Sequence, residues 1–118
     1  MQSKVLINFV RFNDAGFEAK SHTIVEHMTG NANFPTPVPA ITVVADGSDA
    51  YTTALIAAST GNRADIAVKN QARQDLEELL RLLASYINFT ADGDRSKLLT
   101  TGYDVSKEKA PVIITKPE

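Results

Sequence analysis

AITVVADGSDAYTTALIAAST, residues 40–60, supports two incompatible readings. Taken locally, ITVV is β-branched and Asp46-Gly47 is a strong turn signal, which together describe a strand entering a hairpin. Taken over the whole window, Ile41, Val44, Ser48, Tyr51, Leu55 and Ala58 recur at spacings of three, four, three, four and three. That is one face of a helix, and it crosses the would-be turn without losing phase. The longer pattern favours a helix of about twenty residues. Gly47 costs that helix about 1 kcal/mol relative to alanine, and the β-branched ITVV weakens its first turn. The hairpin is the alternative.

The C-terminal neighbour of this window is the clearest helix in the chain, residues 63–89. Val68, Ala72, Leu76, Leu79, Leu83 and Tyr86 recur at four, four, three, four and three, while Asn70, Gln74, Glu77, Glu78, Arg81 and Ser85 occupy other faces. Leu80, Leu82 and Ile87 widen the apolar surface beyond one stripe, as expected of a central helix touched from more than one side. Glu77 precedes Arg81 by four residues, the favourable order for a helix-surface ion pair. Gly61-Asn62 before the helix and ADGD after it carry start and stop chemistry. Upstream, Asn13 or Asp14 caps a helix reaching about Met28, with Phe17, Ile24, Val25 and Met28 on a broad face and Gly30 just past its end. Downstream, Asp94 caps a short helix through Leu98 and Leu99 that stops at Gly102, and Tyr103 closes the bundle.

Between the first two helices lies GNANFPTPVPA, residues 30–40. Pro35, Pro37 and Pro39 fix φ and push their predecessors toward extended backbone, so the stretch is a stiff arm rather than a helix. Pro39 suits the first position of the next helix, where its missing N–H is harmless. We expect the arm to cross the end of a bundle, with Phe34 or Val38 dipping into the core. A domain linker is disfavoured because thirty preceding residues are too few to fold alone. A displayed ligand for an SH3-type domain is disfavoured because alternating prolines never stand in PxxP spacing.

Composition narrows function mainly by exclusion. With 118 residues, one domain is the default. Apolar residues at 43% and charged residues at 22% are compatible with a packed core. Twelve basic and fourteen acidic side chains give a net charge of -2, which provides no positive field for nucleic acid. There is no cysteine, hence no disulfide framework, thiolate zinc site or cysteine nucleophile. Asn8 and Arg11 interrupt the N-terminal apolar run, which is too short and polar for a signal peptide. No stretch approaches the roughly 20 apolar residues of a membrane span. The cytoplasm is the default location.

TGNANFPTPVP, AVKNQARQDLEELLRLLASYI, ADGD and LLTTGY, in this order, resemble a family of small uncharacterised Bacteroidetes proteins. In that family an N-terminal helical domain is often followed by a fibronectin type III-like domain. The resemblance runs over about residues 4 to 110 and supports the helical reading of residues 40–60. It implies that the tail EKAPVIITKPE resembles an interdomain linker or the first strand of a following sandwich. It carries no activity, ligand or catalytic residue.

Few residues invite chemistry. His22 and His27, five apart, point about 140° away from each other on a helix and cannot share a metal. His22 with Glu18 or Glu26 has i,i+4 spacing, but no cysteine or third histidine completes a zinc site. No nucleophile-elbow pattern accompanies the serines. Lys69, Asn70 and Arg73 form the one polar cluster that the resemblance singles out. Such a cluster either grips a partner's carboxylate or backbone, or ties loop carbonyls, such as those of the proline arm, to the central helix. Asn88-Phe89-Thr90 matches a glycosylation sequon incidentally, inside the long helix.

The sequence therefore predicts an all-α bundle of three longer helices plus one short helix over residues 1–106, followed by an extended tail, 107–118. The expected function is non-enzymatic: a structural or protein-interaction module whose partner is another protein or a second copy of itself, with no cofactor, no metal, no nucleic acid and no membrane span. A small-molecule-binding bundle or cryptic enzyme is the alternative, with a pocket near Lys69, Arg73 and Tyr86.

Overall fold

The computed structural model describes residues 3–106. They form a 3-10 turn, Phe9–Arg11, and four α-helices: α1 Asp14–Met28, α2 Ile41–Ala58, α3 Arg63–Ala91 and α4 Arg95–Leu98. Among the described residues there is no strand, only an isolated antiparallel bridge between Val5 and Val105. The expected all-α bundle of three longer helices and one short helix is the observed architecture. The expected tail, residues 107–118, lies outside the described residues.

Three of the helices start on a side-chain cap legible in the sequence. Asn13 accepts from the Gly16 N–H, Asn62 from those of Ala64 and Asp65, and Asp94 from that of Ser96. Each satisfies amides that have no partner within the helix. α2 differs: its N-cap is Ala40, which offers no side-chain bond. Pro39 therefore stands one residue before the N-cap rather than at the first helical position, a correction to the sequence reading. The Val38–Pro39 peptide is cis.

The window 40–60 is helical through Asp46-Gly47, so the longer apolar pattern overrides the local turn signal. Val44, Ser48 and Tyr51 are buried as the phase predicts, and Ile41 and Leu55 pack at the margin. Gly47 also faces α3: a Cβ placed there would lie 2.8 Å from Cδ1 of Leu79. Its missing side chain lets the two helices approach closely, which offsets the propensity it costs. α2 and α3 are joined by a short loop and run antiparallel along much of their length. α1 packs on α2 through Phe17 and Tyr51, whose ring centroids are 5.5 Å apart edge to face, and through the buried pair Ser21 and Ser48.

Leu76, Leu80, Leu83, Ala84, Ile87 and Ala91 of α3 are buried, consistent with a central helix. Two residues depart from the expected core face. Val68 is 59% exposed and Leu82 is 50% exposed. Val68 precedes Leu76, the first buried residue of α3, and Leu82 stands between the buried Leu80 and Leu83 on a different face of the helix.

The proline-rich segment is an internal crossover. Phe34 is buried, its ring 6.1 Å from that of Tyr86, and the Thr36 N–H donates to the Tyr86 hydroxyl. Asn31 Nδ2 donates to the carbonyl and hydroxyl of Thr100, fastening the start of the arm to the segment after α4. Val38, the other candidate anchor, is exposed. Tyr103 closes the bundle by donating to the Leu80 carbonyl. The sequence did not reveal the N-terminal segment, where Phe9 packs between Phe17 and Tyr103. Beside it, Leu6 N–H donates to the Asp104 carbonyl and Ser106 N–H to that of Lys4.

Candidate functional site

Of the polar trio on α3, Lys69 and Arg73 converge and Asn70 does not. Asn70 is exposed and lies off the face that carries the other two. Arg73 Nε donates to Glu77 Oε2 at 2.9 Å and Nη1 to Asp14 Oδ1 at 3.0 Å. Nη2 donates to the carbonyls of Phe9 at 2.9 Å and Phe12 at 2.8 Å. The guanidinium also lies 4.6 Å from the centroid of the Phe17 ring. Lys69 Nζ reaches Asp14 Oδ2 at 2.7 Å, and the Tyr51 hydroxyl donates to Asp14 Oδ1 at 2.9 Å. The carbonyls tied to the central helix therefore belong to the N-terminal segment, not to the proline arm. This corrects the expectation while keeping its physical reason, that such carbonyls need donors.

The electrostatics follow from these contacts. The Lys69 ammonium, helped by Tyr51 and Arg73 and opposed by burial, holds the Asp14 carboxyl down at about 2 from an ordinary 3.8. Burial and the Asp14 carboxylate push the Tyr51 hydroxyl far above its ordinary value. Burial works against the Arg73 charge, and the hydrogen bonds it donates to Glu77 and Asp14 outweigh it. Because the folded value of Asp14 lies below the unfolded one, its contribution to stability is complete above about pH 4 and is lost as pH falls toward 2. Asp14→Asn is accordingly expected to lower the thermal midpoint at neutral pH while flattening its decline between pH 4 and pH 2. Thermal melts of both proteins across that range test this, and parallel declines would contradict it.

This cluster is closed on itself: Tyr51 is wholly buried, and Asp14 and Arg73 spend their polar atoms on the fold. It braces α1, α3 and the N-terminal segment. A second polar group joins α1 to α2. Ser21 Oγ donates to the Glu18 carbonyl and lies 2.9 Å from Ser48 Oγ, which in turn lies 3.2 Å from His22 Nδ1. His22 Nε2 lies 3.0 Å from Thr52 Oγ1. Ser48 is buried, so the Ser/His contact does not resemble an activated nucleophile open to substrate. Glu18 Oε2 lies 3.8 Å from His22 Nε2, and no cluster of three metal-ligating side chains occurs among the described residues.

A cavity of about 670 Å³ opens at the crossover, lined by Met28, Phe34, Pro35, Pro37, Ile41 and Ala45 among others. Its wall is largely apolar. Lys69 and Arg73 are not part of its lining, so the convergent polar pocket expected of the small-molecule alternative is not formed there.

The most distinctive surface lies on α3. Val68, Leu82 and Phe89 are 59%, 50% and 87% exposed, and with Asp75 they stand seven residues apart on one face. Exposed Gln71, Glu78 and Ser85 flank this row on one side, and half-buried Ala72, Leu79 and Tyr86 on the other. The remaining large exposed apolar residues, including Val10, Val38, Val43, Ile56 and Leu99, are scattered over different elements. The signal was present in the sequence as a second seven-residue row. It was obscured because Val68 and Leu82 also fit the edge of the core-facing pattern. No described helix is long and apolar enough to cross a membrane. Comparison with known proteins finds no matching family model, curated protein or solved structure.

Proposed function

We propose that the chain is a non-enzymatic interaction module that self-associates through the solvent face of α3. The observation carrying this reading is the aligned exposure of Val68, Leu82 and Phe89 on a helix of 29 residues. Isolated exposed apolar side chains are ordinary, whereas a row at heptad spacing is the pattern by which helices pair. The polar clusters support the same reading, since their groups are spent on bracing the helices. The Bacteroidetes resemblance supports placing such a module beside a further domain.

Light scattering coupled to size-exclusion chromatography tests self-association. The wild-type chain is expected to show a concentration-dependent dimer, and Leu82→Glu to shift it to monomer with an unchanged circular-dichroism spectrum and melt. Leu82 is half-exposed, so loss of folding is not expected to confound the comparison. A wild-type chain that stays monomeric at high concentration removes the proposal. The apolar cavity favours the second reading, binding of a small apolar molecule, because its volume falls within the roughly 300–1,000 Å³ range of ligand pockets.

A further inference from the structure

Resting on that reading of the α3 face, we infer that the second copy docks antiparallel, with the twofold axis between Glu78 and Leu79. The row Val68, Asp75, Leu82, Phe89 is nearly symmetric in spacing but not in chemistry, and its charges choose the direction. In a parallel pair, Asp75 would face the partner's Asp75, like charges in a partly desolvated seam. Glu78, which flanks the row, comes beside the partner's Glu78 only in the antiparallel pair, where Arg81 of both copies stands about one turn away. Turning one helix around brings Val68 level with the partner's Phe89 and Asp75 level with the partner's Leu82, beside the partner's Arg81.

Both members of that ion pair are available in the monomer. Asp75 accepts from Gln71 Nε2 through Oδ1, and its other oxygen has no hydrogen-bond partner among the described residues. Arg81 is 42% exposed, and its own carboxylate neighbours lie at 3.5 Å on Glu77 and 3.9 Å on Glu78, long for a guanidinium fork. An antiparallel partner thus supplies each with a better-placed opposite charge. It also covers Phe89, the most exposed large apolar side chain among the described residues. The apolar row is short, so the dimer is expected to be weak and in exchange with monomer.

The chain contains no cysteine, so introduced thiols report on geometry without interference. Val68 and Phe89 are about 32 Å apart along one helix, beyond the reach of a short bismaleimide within a single chain. In the antiparallel dimer, Val68→Cys with Phe89→Cys in the same chain is expected to give covalent dimers. Val68→Cys alone or Phe89→Cys alone is expected to give none, because like positions lie about 32 Å apart across the axis. Light scattering is run on each variant before cross-linking. Cross-linking by either single variant overturns the orientation while self-association stands. Dimers by scattering with no cross-link in the double variant overturn the register alone. Monomers throughout overturn both the inference and the reading beneath it.

Discussion

Arg73→Ala is expected to lower the free energy of unfolding by about 3 kcal/mol, the range seen when one partner of a buried ionic network is removed. Arg73 is the sole donor to the Phe12 carbonyl among the described residues, shares the Phe9 carbonyl with the Phe12 N–H, and is one of the donors to Asp14 and Glu77. Its side chain is only 16% exposed, so water reaches the orphaned acceptors poorly. Truncation leaves the Phe12 carbonyl unpaired and removes one donor each from Phe9, Asp14 and Glu77, and an unsatisfied buried group costs about 1–3 kcal/mol. The packing of the guanidinium on Phe17 is lost as well. For a domain of this size the thermal midpoint should fall by more than about 10 °C. Arg73→Lys is expected to recover less than half, since a single ammonium cannot reproduce the planar fork that meets four acceptors. Lys69→Ala, removing one contact to Asp14, should cost about 1 kcal/mol. Urea unfolding of the three variants gives the ranking. Loss of less than about 1 kcal/mol in Arg73→Ala would mean that the network is solvated and structurally idle.

What the sequence could and could not disclose divides along the range of the interactions. Caps at Asn13, Asn62 and Asp94 act within three residues, and they are legible as residue type beside an apolar period. The helical phase of residues 40–60 was legible too, because burial on α3 and α1 acts on a whole face and outweighs a local Asp-Gly signal. Gly47 looked like punctuation because composition cannot distinguish a glycine that turns the chain from one that lets Leu79 approach. Arg73 was recognisable as a residue that ties carbonyls, but not which carbonyls. Its partner Asp14 lies 59 residues away and leaves no periodic trace. The same holds for the pairing of Val5 with Val105, and for Phe9, whose burial depends on Tyr103 arriving from the other end of the domain. Val68 and Leu82 were misplaced for a different reason. No residue of α3 before Leu76 is buried, so the core face begins after Val68, and Leu82 sits among the buried Leu80, Leu83, Ala84 and Ile87, where apolar residues on several faces do not say which face the neighbours cover.

Gly102→Ala is expected to cost about 3 kcal/mol, a conformational share plus a steric one. Gly102 has φ 84, a region that costs an L residue about 1–2 kcal/mol. A Cβ there would also lie 3.0 Å from the Thr23 carbonyl oxygen, 3.1 Å from Ile24 Cα and 3.2 Å from Ile24 N. These are main-chain atoms in the middle of α1, which cannot swing aside as a side-chain terminus can, so the turn after α4 must move off the helix. That turn carries Tyr103, whose hydroxyl donates to the Leu80 carbonyl, and Asp104, which is paired with Arg11 and Lys20. The displacement is therefore expected to loosen the closure between the two chain ends. Gly30 and Gly61 supply the control, because both have positive φ, 69 and 84, with nothing within 4 Å of an added Cβ. Alanine at either should cost only the conformational share, about 1 kcal/mol. The difference between Gly102→Ala and Gly61→Ala, whose φ values coincide, isolates the close approach to α1 from backbone preference. Equal losses at the two positions would show that the turn after α4 is free to shift, and that closure by Tyr103 contributes little to holding the bundle.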